Sequence, residues 1–193
     1  MGLLGGLFKK AKHKGYFEIE ISSISRLTNN AVKVAFDIPE KLSEKFNYAP
    51  GQYINILAEI GGKEERRSYS ICSAKDEKLA IGIKSVKNGI VSNWFNLEAQ
   101  EGTKLFISEP QGNFKIPSGA KHVANIAAGS GITPILSILK SKSNVEGMHL
   151  LYGNRSKEET MFLEEIKQMN NIKTSFFFDT NHDENAISGR IDK

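Results

Sequence analysis

One cysteine, five prolines and one tryptophan occur in 193 residues, and these shortages exclude several kinds of protein. The lone thiol, Cys72, cannot form an internal disulfide, nor can it supply the four thiolates of a plant-type iron–sulfur cluster, so any such cluster lies outside this chain. No stretch approaches the roughly 20 apolar residues of a membrane span. Met1 to Lys14 place a short apolar run (Leu3, Leu4, Leu7, Phe8) before four lysines, the reverse of the charge order in a secretory signal. A cytoplasmic protein is the default expectation, with residues 1–15 read as a flexible N-terminus in preference to a membrane-surface anchor. Charge of one sign is lacking too: 26 Lys and Arg against 22 Asp and Glu give +4, scattered along the chain, which argues against nucleic acid as partner. His13, His122, His149 and His182 show no metal-ligand spacing, and no Ser/His/Asp set presents itself for acyl transfer.

What is present is a globular balance, 39% hydrophobic and 25% charged. From Tyr16 to about Ile107 apolar residues recur with a period near two, the mark of half-buried strands. Runs fall at Phe17–Ile21, Val32–Ile38, Tyr53–Ala58, Arg67–Cys72, Leu79–Val86 and Lys104–Ser108, separated by Thr28-Asn29-Asn30, Ala49-Pro50-Gly51, Gly61-Gly62 and Lys87-Asn88-Gly89. Six strands suffice for a small antiparallel Greek-key barrel over residues 16–117.

Beyond Pro117-Ser118-Gly119 the period changes. A strand, Val123–Ala128, leads through a glycine turn into a helix near Thr133-Pro134, with Thr133 as N-cap and Pro134 in the first turn. A second strand, Met148–Tyr152, precedes a helix opened by the capping box Ser156-Lys157-Glu158-Glu159 and continued by Phe162, Ile166 and Met169. A third strand, Ile172–Phe178, completes β-α-β-α-β, so residues 118–193 read as a partial doubly wound parallel sheet of the nucleotide-binding kind. A third helix is expected to start near Gly189. Three parallel strands leave an edge unpaired, which points to a fragment or to a short domain completed by a partner chain.

Gly129-Ser130-Gly131 lies between a strand and a helix, where the backbone can approach a diphosphate, although the third glycine of the usual fingerprint is replaced by Pro134. A tight turn without ligand is the alternative reading. After the second strand stands Arg155, between Asn154 and Ser156, where dinucleotide domains commonly carry a carboxylate. A guanidinium there suits a 2′-phosphate and so NADPH over NADH; otherwise Arg155 is a solvated loop cation. In the β half, Arg67-Ser68-Tyr69-Ser70 sets a cation and a flat aromatic on one strand face, able to hold a phosphate and stack a ring system. Asn88-Gly89-Ile90-Val91-Ser92-Asn93 leads into an apparent helix containing Trp94, Phe95 and Leu97, a second anion site at a helix start.

Together these segments resemble the ferredoxin–NADP reductase superfamily over nearly the whole chain. Pro50-Gly51-Gln52-Tyr53 resembles the strand before its flavin site, Arg67-Ser68-Tyr69-Ser70 its R-x-Y-S motif, and Gly89 to Ser92 its diphosphate turn. Pro110 to Phe114 resembles its P-x-G-x-F barrel closure, and Ala127 to Pro134 its nicotinamide-nucleotide loop. Tyr152 to Ser156 and Gly189-Arg190-Ile191 are most like the branch containing the reductase component of phenylacetyl-CoA epoxidase, in which a 2Fe-2S ferredoxin domain follows. The resemblance implies FAD, with Arg67 on its diphosphate, Tyr69 against the isoalloxazine, Ser70 near N5, and Lys84, Gly89, Val91 and Ser92 holding the remainder. Thr133 is then expected near the nicotinamide, with Gly129, Gly131, Asn154, Arg155 and Ser156 serving the nucleotide. The family's late Cys-Gly motif does not occur in this sequence. The implied activity is that of a flavoprotein reductase passing electrons from NADPH through FAD to an iron–sulfur centre serving an oxygenase. A flavin reductase or electron-transfer subunit with another acceptor, and a non-catalytic binding module, are the alternatives. Cys72 reads as a buried small residue more readily than as a redox thiol.

Overall fold

The computed structural model describes residues 13–141, 145–180 and 186–191; the expectations for Met1–Lys12 and for His182 lie outside them. Strand β1 (Tyr16–Thr28) is longer than the run Phe17–Ile21 suggests because it serves two neighbours. Its first five residues pair with β6 (Lys104–Ser108) and its later ones with β2 (Ala31–Asp37). Register shifts between Ile21 and Ser23 and between Arg26 and Thr28 bend it from one to the other. With β3 (Tyr53–Ile60), β4 (Lys63–Ser70) and β5 (Ala80–Lys84) it forms a six-stranded antiparallel sheet in the order β4-β3-β6-β1-β2-β5. The sheet curls into a barrel whose edges, just past β4 and in β5, meet at one bridge, Ile71 to Ile81. Alternation sends Ile19, Ile21, Val32, Val34, Ile54, Ile56, Ile81, Ile83 and Ile107 inward, all fully or almost fully buried. Each such side chain contributes roughly 1.5–3 kcal/mol. Helix α1 (Ile90–Leu97) plugs one end with Val91 and Phe95.

Strands β7 (His122–Ala128), β8 (Gly147–Asn154), β9 (Ile172–Phe178) and β10 (Ile187–Ser188) form a parallel sheet in the order β10-β9-β8-β7. Helix α2 (Ile132–Lys140) packs against the face that carries Ala127, Leu150 and Tyr152. The strand register puts Ile126, Leu151, Phe177 and Ile187 on the opposite face, where Ile126 is 62% exposed.

Three local expectations are corrected. Helix α2 begins two residues early: Gly131 is its N-cap, and the Thr133 hydroxyl donates to the Ser130 carbonyl (3.1 Å) from inside the first turn. Ser156-Lys157-Glu158-Glu159 opens no helix, because residues 156–162 form turns in which the Thr160 hydroxyl donates to the Ser156 carbonyl (2.8 Å) and Phe162 adopts φ +60°. Helix α3 (Leu163–Lys167) starts only after it. Met161 and Phe162 are buried in the domain junction, and that burial outweighs the local capping signal. In place of a helix near Gly189, β10 adds a fourth parallel strand, Ile187 opposite Phe177, and Gly189 follows it with a positive φ of 105°.

The two sheets share a core. Ala31, Cys72 and Ala80 of the barrel pack with Ile132, Ile135, Leu136 and Leu139 of α2 and with Met161 and Phe162. Burial pushes the Cys72 thiol from 9.0 up to about 12, opposed by the charges of Lys33 and Lys140. The protonated thiol therefore favours the folded state fully below about pH 9, where unfolded chains also keep it, and that advantage is lost by about pH 12. Relative to wild type, Cys72→Ala is expected to gain about 1 kcal/mol between about pH 9 and 10 in urea unfolding; parallel pH profiles would contradict the burial of this thiol.

Candidate functional site

A cleft of about 420 Å³ opens where the barrel faces the start of α2, lined by β4, β5, the turn and start of α1, and the segment Ser130–Pro134. From β4 come Arg67, Ser68, Tyr69 and Ser70. The Tyr69 ring is held edge-on by Phe95 of α1, with centroids 6.1 Å apart and planes at 85°. Burial pushes its hydroxyl up to about 12 against the pull of the Arg67 charge, so the phenol is neutral at ordinary pH. Arg67 lies along its own strand, donating to the Arg66 carbonyl (2.6 Å) and standing 3.4 Å from Glu65, with about half of its side chain in solvent. Ser68 donates to Asn55 Oδ1 of β3 (2.6 Å), and buried Asn55 is held in turn by the Ser108 hydroxyl. That chain of hydrogen bonds pins the register of β4.

The opposite wall is made of helix starts. Gly89 is the N-cap of α1 and Gly131 that of α2, and neither helix has a side-chain cap. Gly89, Val91 and Ser92 line the same cleft as Gly131 and Thr133. Two positive helix ends thus converge on one space. A Cβ on Gly89 would strike the Ser92 hydroxyl and the Val86 side chain, so glycine there is demanded by the turn itself. Gly131 differs: a Cβ on it would meet open space, and no protein neighbour requires glycine. Open space beside an uncapped N-terminus fits a phosphate-bearing ligand laid against the backbone, and the donors around it suit the diphosphate of a dinucleotide.

Gly129, at φ +50°, needs glycine for its backbone, and its carbonyl accepts a 2.9 Å bond from the buried Tyr152 hydroxyl. Lys84 lines the cleft but is already paired, its ammonium 3.0 Å from Glu159 in the turns after β8. Asn154, Arg155 and Ser156 do not line this cleft; they follow one another at the C-terminal end of β8. Arg155 is exposed, and its carbonyl accepts from the Thr180 amide (3.0 Å) and hydroxyl (2.8 Å). Both polar side-chain atoms of Asn154 are buried with no hydrogen-bond partner among the described residues. Such orphaned groups cost roughly 1–3 kcal/mol unless a ligand satisfies them.

Gly82 and Asn55 have no site role in the sequence reading, and Glu159 has only that of a capping residue. Only Gly82 left a signal, an isolated glycine between Ile81 and Ile83 in a strand, which marks a close backbone approach.

A curled antiparallel barrel joined to a parallel sheet, with uncapped helix ends and a Tyr-bearing strand around the junction, offers the donors and the aromatic face that a flavin and a nucleotide require. Residues 18–116 match the oxidoreductase FAD-binding domain family and residues 126–192 the oxidoreductase NAD-binding domain family. The chain belongs to the ferredoxin–NADP reductase family of NAD(P)H-dependent FAD oxidoreductases. It is 29% identical over 190 residues to one component of the 1,2-phenylacetyl-CoA epoxidase of Escherichia coli, covering 92% of this chain and 53% of that one. It is 32% identical over 164 residues to the ferredoxin reductase component of a Mycobacterium tuberculosis 3-ketosteroid-9-alpha-monooxygenase, covering 79% and 46%. The chain therefore spans about half the length of these curated relatives. In fold it is similar to a ferredoxin NADP+ reductase of Neisseria gonorrhoeae solved with FAD and NADP, with TM-score 0.80 at 21% identity over 92% of this chain and 74% of that one. Phthalate dioxygenase reductase aligns with TM-score 0.70 at 24% identity, over 86% and 53%. No described helix is long and apolar enough to cross a membrane.

In the Gly82→Ala variant the new Cβ would lie 2.8 Å from Thr133 Cγ2 and 2.9 Å from Phe162 Cζ. We expect a loss of about 1–3 kcal/mol in urea unfolding; wild-type stability would show that the junction is looser than described.

Proposed function

We propose that this chain is the electron-entry part of an oxygenase reductase, taking hydride from NADPH onto FAD and delivering electrons to an iron–sulfur centre on a ferredoxin-type domain or partner. The observation that carries this reading is the convergence of the Arg67–Ser70 strand and two uncapped helix N-termini on one cleft. On this reading residues 16–117 hold the flavin and 118–193 the nicotinamide nucleotide. FAD when bound supplies the redox chemistry, accepting hydride and releasing electrons singly. The side chains supply placement. Arg67 and the α1 N-terminus, with Gly89, Val91 and Ser92, neutralise the flavin diphosphate. Tyr69 offers a neutral aromatic face to the ring, Ser70 a hydroxyl to its edge, and Lys84 a cation at the cleft wall. Gly129, Gly131 and Thr133 set the α2 N-terminus against the nucleotide, while Asn154 and Ser156 bond its ribose and Arg155 its 2′-phosphate. Relatives named as components of phenylacetyl-CoA epoxidase and ketosteroid monooxygenase support an oxygenase as the final acceptor.

Arg67→Ala is expected to weaken FAD binding by about ten- to a hundredfold, the worth of a charge-assisted hydrogen bond, read by flavin fluorescence on titration; unchanged affinity refutes its diphosphate role. Arg155→Ala is expected to raise the NADPH dissociation constant about tenfold more than that of NADH, and equal changes for both nucleotides refute the 2′-phosphate assignment. Purified protein that takes up no FAD overturns the proposal as a whole.

A further inference from the structure

Helix α2 reads Ile-Thr-Pro-Ile-Leu-Ser-Ile-Leu-Lys, and its hydroxyl-bearing and charged residues, Thr133, Ser137 and Lys140, recur at i, i+4 and i+7. On a surface helix such a stripe faces water. Here it is buried: Thr133 is 5% exposed, Ser137 0%, and the Lys140 side chain 8%. Each member of the stripe meets the barrel. Thr133 Cγ2 lies so close to Gly82 that no Cβ fits between them. Ser137 donates to the Ser73 carbonyl at 2.8 Å. Lys140 Nζ lies 2.9 Å and 3.1 Å from the two carboxylate oxygens of Glu77, in the loop between β4 and β5. It also pairs with Glu165 of α3, within its own domain. Burial alone would lower the pKa of this ammonium; bonds to Glu165 and Glu77, with their charges, outweigh it and keep the group charged.

We propose that Lys140 is a positioning residue, whose ion pair with Glu77 fixes the angle at which α2 docks on the barrel and so sets Gly131 and Thr133 against the Tyr69–Ser70 strand. The functional half of this proposal rests on the flavin and nucleotide reading of the cleft; the docking half stands on the contacts alone. The Lys140 stem is covered while its ammonium meets two partly exposed carboxylates, so the seam favours the orientation in which both stay in reach. The lever is long. Lys140 and Gly131 are separated by about 14 Å of helix; with the pair lost, a turn of α2 by about 5° against the barrel shifts helix and β4 strand relative to each other by roughly 1 Å over that length. A displacement of that size lowers the rate of a transfer between aligned groups by about tenfold to a hundredfold.

The test compares Glu77→Gln, which removes the ion pair between domains, with Glu165→Gln, which removes the one within a domain, alongside Lys140→Met and Lys140→Arg. Spin labels at Lys63→Cys and Lys173→Cys report the separation of the two sheets by pulsed dipolar spectroscopy; fully buried Cys72 takes no label. Glu77→Gln and Lys140→Met are expected to broaden the distance distribution, Lys140→Arg to restore it, and Glu165→Gln to leave it as in wild type. In FAD-loaded protein, rapid-mixing reduction by NADPH is expected to slow about tenfold in Glu77→Gln, with flavin content and nucleotide KM unchanged. A wild-type distribution in Glu77→Gln overturns the proposal, as does equal broadening by Glu165→Gln. Glu77 is partly exposed, so its variant decides the matter even where Lys140→Met fails to fold. Failure of the unmutated protein to bind FAD would defeat the reading of the cleft and leave the distance result standing on its own.

Discussion

Burial of helix α2 between the barrel and the parallel sheet is the constraint on which the rest depends. The barrel strands do not close the cleft alone: β4 forms one wall, and the starts of α1 and α2 form the other. Close approach is possible because the barrel presents small residues where the helix lands. Ala31, Ala80 and Cys72 are fully buried there, and Gly82 has no side chain at all. Isoleucines and leucines of α2 fill the space those residues leave. Specificity of orientation comes from the polar stripe and bulk cohesion from the apolar one, so two faces of a nine-residue helix divide the work of assembly.

Electrostatic logic at the cleft follows from placement, and the net charge of +4 conveys little of it. Arg67 and Lys84 each stand near a carboxylate, Glu65 and Glu159, so the protein keeps its cations balanced while retaining them at the wall. The helix ends have no such balance. Each carries roughly half a positive charge from aligned peptide dipoles, with no acidic residue in its first turn. Sparse side-chain capping there is consistent with donors kept for something other than the protein.

Much of this was legible in the order of residues, for reasons that can be stated. Alternation of Ile19, Ile21, Val32 and Val34 with polar neighbours exposed the barrel strands, because one face of each is core and the other is not. Short motifs such as Arg67-Ser68-Tyr69-Ser70 survived as legible units because the chemistry sits on one strand. What failed was decided at long range. Glu159 reads as part of a capping box, yet its carboxylate pairs across the junction with Lys84, 75 residues away, and Phe162 takes a left-handed backbone because its ring is needed in the shared core. Asn55 looks like any polar residue in a strand; only the pairing of β3 with β4 reveals that it holds Ser68. Strand β10 is two residues long, too short to carry a period.

Gly131 separates two kinds of selection. Its backbone sits at ordinary negative dihedrals and the space beside it is empty, so folding by itself exerts almost no pressure to keep it bare. A library screened for expression or thermal tolerance would let side chains accumulate at this position, whereas on the proposed reading one screened for nucleotide binding would purge them. Comparing the two outcomes would measure how much of this turn serves the fold and how much serves the nucleotide proposed for it.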